Sequence, residues 1–249
     1  MYNVDEIYPV IQRLFAKSIN NGYNQISLHQ YTDHAGKTLF CKARLKNAQG
    51  KKQIFPFHWQ DNTGQWVIGE PNFTAFGNQF NGKKPLYLLH LLQNASVVWI
   101  FEGEQKAELM ANLGYVATTT GGSTSVSGFD VSPLAGKKCI LWRDFDKAGI
   151  NWLKDITSQL GQLSPKCEVI AVDVDKLGLA EKGDIVDYLA GCDTPTMHTK
   201  INALPMMSRE QFSALSAGGQ TSLATALHAQ TPANQPPPKI KASDNGASP

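Results

Sequence analysis

The stretch Val97-Val-Trp-Ile-Phe-Glu-Gly-Glu104, followed through to Cys139-Ile-Leu-Trp-Arg-Asp-Phe-Asp-Lys-Ala-Gly149, decides the fold. Two short apolar runs, 97–101 and 139–142, each end in acidic residues. Between them lie a helical pattern from Glu104 to Leu113 and another apolar run from Tyr115 to Thr120. Short bounded apolar runs alternating with helical patterns predict parallel strands joined by crossover helices. In such a sheet the functional edge is the one where strands end at their carboxyl side. Glu102, Asp144 and Asp146 therefore gather on one edge. Clustered carboxylates around a hard cation make a Mg2+ site, and Mg2+ usually works on phosphates.

Further along, Gly114 caps the first helix, and Ala107, Met110, Ala111 and Leu113 form its buried side. The Gly121-Gly122 loop has backbone N–H groups that can face a phosphate. Ile150, Leu153, Ile156 and Leu160 mark one face of a helix over 148–160, and Cys167 to Val174 reads as a fourth strand. Lys182 to Leu189 starts a last short helix, capped by Asp184. Asp144 and Asp146 are two apart, so an extended backbone points both side chains the same way. Gly149 lets the next helix pack close. Taken alone, Asp-x-Asp-x-x-Gly has a plainer reading as turn residues and a helix cap.

Before this unit, Val4, Ile7, Tyr8, Ile11, Leu14 and Phe15 fall at helical spacing, predicting one helix over 4–19 in which Pro9 is tolerable only in the first turn. Residues 25–70 alternate and turn like antiparallel strands, with turns at Asp33–Gly36, Asn47–Gly50 and Asp61–Gly64. Lys37, Lys42, Arg44, Lys46, Lys51 and Lys52 lie in a span free of acids, near Tyr31, Phe40, Phe55, Phe57, His58, Trp59 and Trp66. Basic groups beside aromatic faces suit single-stranded DNA or RNA. A solvated hairpin surface over an ordinary aromatic core is the plainer alternative. Residues 71–93 read as a connector holding a short apolar helix at 86–92. Beyond 194 the pattern fades, apart from a short helix at 208–215 with Ser208 and Gln211 as a capping box. The end of the chain, with Pro236-Pro-Pro238, has the composition of a disordered tail.

The chain has 249 residues, 42% of them hydrophobic, and a net charge of +2. That suits a globular core and announces no nucleic-acid partner by global charge. No apolar run reaches the roughly 20 residues of a membrane span. The first residues lack a basic region followed by an apolar core, so no secretory signal is expected and the cytoplasm is the expected compartment. Cys41, Cys139, Cys167 and Cys192 form no Cys-x-x-Cys pair, so no zinc ribbon is encoded.

The ordered set of strand, Glu-Gly, helix, strand, then strand, Asp-x-Asp-x-x-Gly and helix resembles the Toprim family. That domain is shared by bacterial-type primases, topoisomerases, and certain nucleases and recombination proteins. The resemblance covers about residues 84–190 and is greatest to primase-like members of phages and plasmids. It rests on Lys84-Pro-Leu-Tyr87, Glu102-Gly-Glu104, Asp144-Phe-Asp146 and Lys182-Gly-Asp-Ile-Val-Asp187. It implies a parallel Toprim sheet with flanking helices over 94–193. Ahead of it stands a helix and basic β-rich module over 1–93, and after it a linker and tail over 194–249. It also implies Glu102 as general acid or base or metal helper, and Asp144 and Asp146 as ligands of Mg2+, which Mn2+ can replace. Asp184 and Asp187 match positions for a second ion. The implied partners are single-stranded nucleic acid, nucleoside triphosphates and a replicative helicase, with no membrane.

The implied activity is Mg2+-dependent nucleotidyl transfer in primer synthesis on single-stranded DNA. A DNA-nicking nuclease and a non-catalytic nucleic-acid-binding accessory are the alternatives. Two positions depart from the family pattern. Lys106 stands where an acid is common, and Arg143 where a small residue or proline is common. Lys106, on the first helical turn near the metal edge, is a candidate either to contact a nucleotide phosphate or to weaken the second metal site. No Walker motif accompanies the chain, so a helicase would come from another protein.

Overall fold

The computed structural model describes residues 4–122 and 124–216. The described residues belong to one compact unit, and the predicted tail lies outside them.

The unit opens with α1 (Val4–Leu14) and α2 (Ala16–Asn20). Ile7, Ile11 and Phe15 recur every four residues and are buried, so they form one stripe. Asp5 and Glu6 at the start and Arg13 near the end complement the helix dipole. The single helix expected over 4–19 is in fact broken at Phe15. Pro9 lies inside α1, beyond the first turn to which its tolerance was expected to be confined. It sits on the exposed side, where water can serve the carbonyl left without a partner.

The alternating stretch folds as expected into an antiparallel meander of β1 (Gln25–Thr32), β2 (Thr38–Lys46), β3 (Lys52–Gln60) and β4 (Gln65–Ile68). Side chains alternate between its faces. Cys41, Ala43, Leu45 and Phe57 point to one face and pack with Ile7, Ile11 and Phe15. Tyr31 and Phe40 point to the other and join the larger core with Phe73, Phe80, Tyr87 and Phe129. Both faces of the meander are therefore largely covered. The apolar helix predicted at 86–92 shrinks to a single 3-10 turn at Leu89–Leu91, entered through Leu88 in the left-handed region.

The second sheet is parallel: β5 (Val97–Phe101), β6 (Ala117–Thr119), β7 (Lys138–Trp142) and β8 (Glu168–Ala171), in the order β6-β5-β7-β8. Its central strands are apolar on both faces, as a sheet covered on two sides requires. α3 (Glu104–Asn112) links β5 to β6, and α4 (Lys147–Leu160) links β7 to β8. Gly114, at φ +86°, ends the turn after α3. Because β6 and β7 lie on opposite sides of β5, the chain reverses direction across the sheet between β5 and β7. Such a switch point opens a crevice at the carboxyl ends of the two strands. Glu102 follows β5 there, and Arg143 and Asp144 follow β7.

α5 (Ile185–Tyr188), α6 (Thr194–Asn202) and α7 (Arg209–Ser216) complete the unit. Residues 194–216, grouped with the linker by composition, instead fold against the parallel sheet. Ile201 and Leu204 are buried in the larger core, and Met206 bridges to Val172. The capping box at Ser208 and Gln211 forms as expected. Among the described residues no helix is long and apolar enough to cross a membrane.

Candidate functional site

At the switch point the turn after β5 is held from the neighbouring strand. Thr119 Oγ1, fully buried, accepts the Gly103 N–H at 2.9 Å. The same oxygen accepts the Gly121 N–H at 2.9 Å. One threonine thus ties the Glu102-Gly103 turn to the glycine loop, a role that no local pattern marks. The Gly121 N–H, expected to face a phosphate, is thereby taken. Gly121 is buried with its N–H already used, and the Gly122 carbonyl accepts the Ser125 N–H at 3.0 Å.

The Asp-x-Asp turn is fixed from below and from the side. Arg143, 1% exposed, donates to the Asp144 carbonyl at 3.0 Å and to Asp175 at 2.8 Å. Asp146 caps α4 by accepting the Gly149 N–H at 2.7 Å. A Cβ on Gly149 would fall against the Asp144 carbonyl and within 2.9 Å of its nitrogen, so the close helix packing inferred from sequence is real. Phe145 pairs through its backbone with Lys182 and Gly183. That clip carries Asp184 to the same edge. Asp184 caps α5 by accepting the Val186 N–H at 2.7 Å, and Asp187 returns a bond from the Asp184 N–H at 3.0 Å. Asp184 is therefore the helix cap expected, and Asp187 is turned to the start of its own helix and exposed.

Between these acids sits the ammonium of Lys106. It donates to Asp144 Oδ1 and lies 3.3 Å from Asp184 Oδ2, with its side chain 10% exposed. Burial pushes the Asp144 carboxyl above its ordinary value. Lys106 pulls it back, while Asp184 and Asp146 push it further up. The acids are thus close enough to feel one another. No protein-family model matches the chain, and no curated protein matches it. A divalent ion between Asp144 and Asp184 would need the place Lys106 fills. Among the described residues no three His, Cys, Asp or Glu side chains stand together as a group able to hold a metal ion. As folded, the donor set fits one ammonium and not the two ions implied by the resemblance. Lys106, weighed as a phosphate contact or as a group that weakens the second metal site, is committed to two carboxylates.

The basic residues of the meander divide. Lys42 is not free for a nucleic-acid backbone: its Nζ donates to Glu104 Oε1 at 2.8 Å and to the Tyr31 hydroxyl at 3.1 Å. Tyr31 also donates to Glu104, at 2.6 Å. Burial alone would raise the Glu104 carboxyl, but Lys42 and the bonds from Lys42 and Tyr31 outweigh it and hold the carboxyl down at about 2. Beside this pair His29 Nδ1 lies 2.8 Å from Glu108, which also accepts the Tyr87 hydroxyl. Arg44, half-buried, donates to Gln105.

Lys46 and Lys52 are exposed and directly opposite each other in the β2–β3 register, on the same face as Arg44, and Lys51 is exposed just before β3. Desolvation lowers the Lys52 ammonium's proton affinity, and Arg44, Lys46 and Lys106 lower it further, against Asp184. This basic face therefore abuts the acidic edge. A cavity of about 190 Å³ opens there, lined by Gln25, Ser27, Arg44, Lys46 and Gln105. The aromatic platform is absent from this face: Tyr31, Phe40 and Phe57 are buried, and Trp59, 41% exposed, points to the opposite side of β3.

Proposed function

We propose that this chain is a primase-like Toprim protein of a mobile element, engaging single-stranded nucleic acid and nucleotide phosphates where the basic meander meets the acidic sheet edge. One observation carries the reading. Lys46 and Lys52 face each other directly across a strand pair, with Arg44 on the same face and Lys106 and Asp184 within electrostatic reach. Like charges directly opposite on a sheet destabilise it. A bound polyanion would relieve that repulsion. The cavity between Arg44, Lys46 and Gln105 offers polar groups on several sides, as an anionic group needs. Glu102, at the switch point, is the group positioned to exchange a proton with a nucleotide hydroxyl. Nucleotidyl transfer in primer synthesis is the reaction this arrangement would serve, with Mg2+ brought in on the nucleotide's own phosphates and a helicase supplied by another chain.

The accessory reading is favoured by a specific observation as well: Lys106 occupies the place between Asp144 and Asp184. Three assays on the full chain separate the readings: labelled-oligonucleotide binding, nucleotide incorporation on a single-stranded template, and plasmid nicking. Each is run with Mg2+, with Mn2+ and with chelator. Incorporation by the wild type that is lost in Glu102→Gln supports the primase-like reading. Binding without incorporation or nicking supports the accessory. Nicking alone supports a nuclease, and failure to bind oligonucleotide overturns the proposal.

A further inference from the structure

The Lys106 side chain is an unusual thing to find at the carboxyl edge of a parallel sheet. Lysine is rarely buried unless it is paired, and here the pairing comes from two separate elements. Asp144 arrives from the turn after β7, and Asp184 from the clip that fastens residues 182–183 to Phe145. Lys106 itself stands on the first turn of α3, directly after the Glu102-Gly103 turn. Three segments distant in sequence thus converge on one ammonium.

The alternative occupant would be a divalent cation, and the two exclude each other. A magnesium ion binds oxygens at about 2.0–2.1 Å and demands a near-octahedral shell. The ammonium already lies in contact with Asp144 Oδ1 and 3.3 Å from Asp184 Oδ2. An ion on those oxygens would share its first coordination sphere with a fixed positive charge. The remaining acids do not complete a shell as placed: Asp146 spends one oxygen on the cap of α4 and Asp187 one on the start of α5, and among the described residues no three His, Cys, Asp or Glu side chains group to hold a metal ion.

We propose that Lys106 is the resident cation of this edge: its ammonium holds Asp144 and Asp184 together in place of a divalent metal, so the wild-type site is closed to Mg2+ and Mn2+ and opens when that one charge is removed. Asp144 and Asp184 then serve as the anchor of Lys106, and the edge is neutralised without added ions. The inference rests on the Lys106 geometry and not on nucleic-acid binding.

The test is Mn2+ titration of the full, metal-stripped chain, followed by the electron paramagnetic resonance of free Mn2+. Wild type is compared with Lys106→Ala, Lys106→Gln, Asp144→Asn and the double variant Lys106→Ala/Asp144→Asn. Circular dichroism and thermal melts check each fold. The expected result is that a folded Lys106 variant binds Mn2+ more tightly than wild type by about tenfold or more, equivalent to about 1.4 kcal/mol. That gain should disappear in the double variant. A gain below about tenfold, or one that survives loss of Asp144, overturns the proposal. If neither Lys106 variant folds, wild type against Asp144→Asn decides. Mn2+ binding by wild type that Asp144→Asn abolishes shows a metal on Asp144 beside Lys106 and overturns it. Wild-type binding that is absent or indifferent to Asp144→Asn supports it. No nucleic acid is present, so failure here is distinct from failure of the binding proposal.

Discussion

Glu104 shows what a single carboxylate does when it is buried beside a lysine. Its side chain is 12% exposed and that of Lys42 13%, so solvent screens the pair little. Glu104→Gln would leave Lys42 buried without its counter-charge. Breaking such a pair costs about 3 kcal/mol or more, measurable as a lower urea midpoint. The pH dependence follows from the depressed carboxyl. Its contribution is fully present above the ordinary value of 4.5 and is lost as pH falls towards about 2. That contribution amounts to roughly 3 kcal/mol. Acid titration of thermal stability should therefore show a steeper loss in wild type than in Glu104→Gln over that window. Equal slopes would mean that the pair adds nothing net. None of this was visible in the sequence, where Glu104 looked like the end of a Glu-Gly-Glu motif and Lys42 like one of several basic residues suited to single-stranded nucleic acid. The partners are 62 residues apart, and local periodicity carries no information about such a pairing.

At the scale of elements, the local signals were the ones that could be read. The meander, the parallel strands, the cap at Asp184 and the need for Gly149 each follow from patterns a few residues long. The short 3-10 turn at Leu89–Leu91 and the burial of Ile201 and Leu204 do not, because tertiary packing decides them. Two substitutions probe the start of α4. Gly149→Ala places a methyl group against the Asp144 backbone, which cannot yield as a flexible side chain would. Overpacking of this kind costs about 1–3 kcal/mol. Asp146→Ala removes the helix cap at a cost of about 1 kcal/mol, whereas Asp146→Asn keeps a good capping group and should cost little. Urea melts of the three variants check both statements, and equal losses for Asp146→Ala and Asp146→Asn would mean that the charge, not the cap, matters. On the meander, Lys46→Ala/Lys52→Ala should weaken oligonucleotide binding and flatten its salt dependence by about 0.7 in log–log slope per lost phosphate contact. Salt-titrated binding reads this directly, and an unchanged slope would place the polyanion elsewhere.

For the whole molecule, the decisive feature is that the meander does not stand apart from the parallel sheet. Tyr31 and Phe40 belong to the same core as Tyr87 and Phe129, and the Lys42–Glu104 pair crosses the same boundary. Residues 25–68 and 97–171 should therefore lose protection together in hydrogen exchange through a urea series. Separate midpoints would show that the two sheets are independently stable. The opposite packing of the two faces of β2 also bears on how the chain avoids misfolding. Shifting β2 by one residue would drive the Lys42 ammonium into the oily contact with α1 and turn Cys41 towards Glu104. Lys42, which reads as a surface charge, serves as a proofreader of strand alignment.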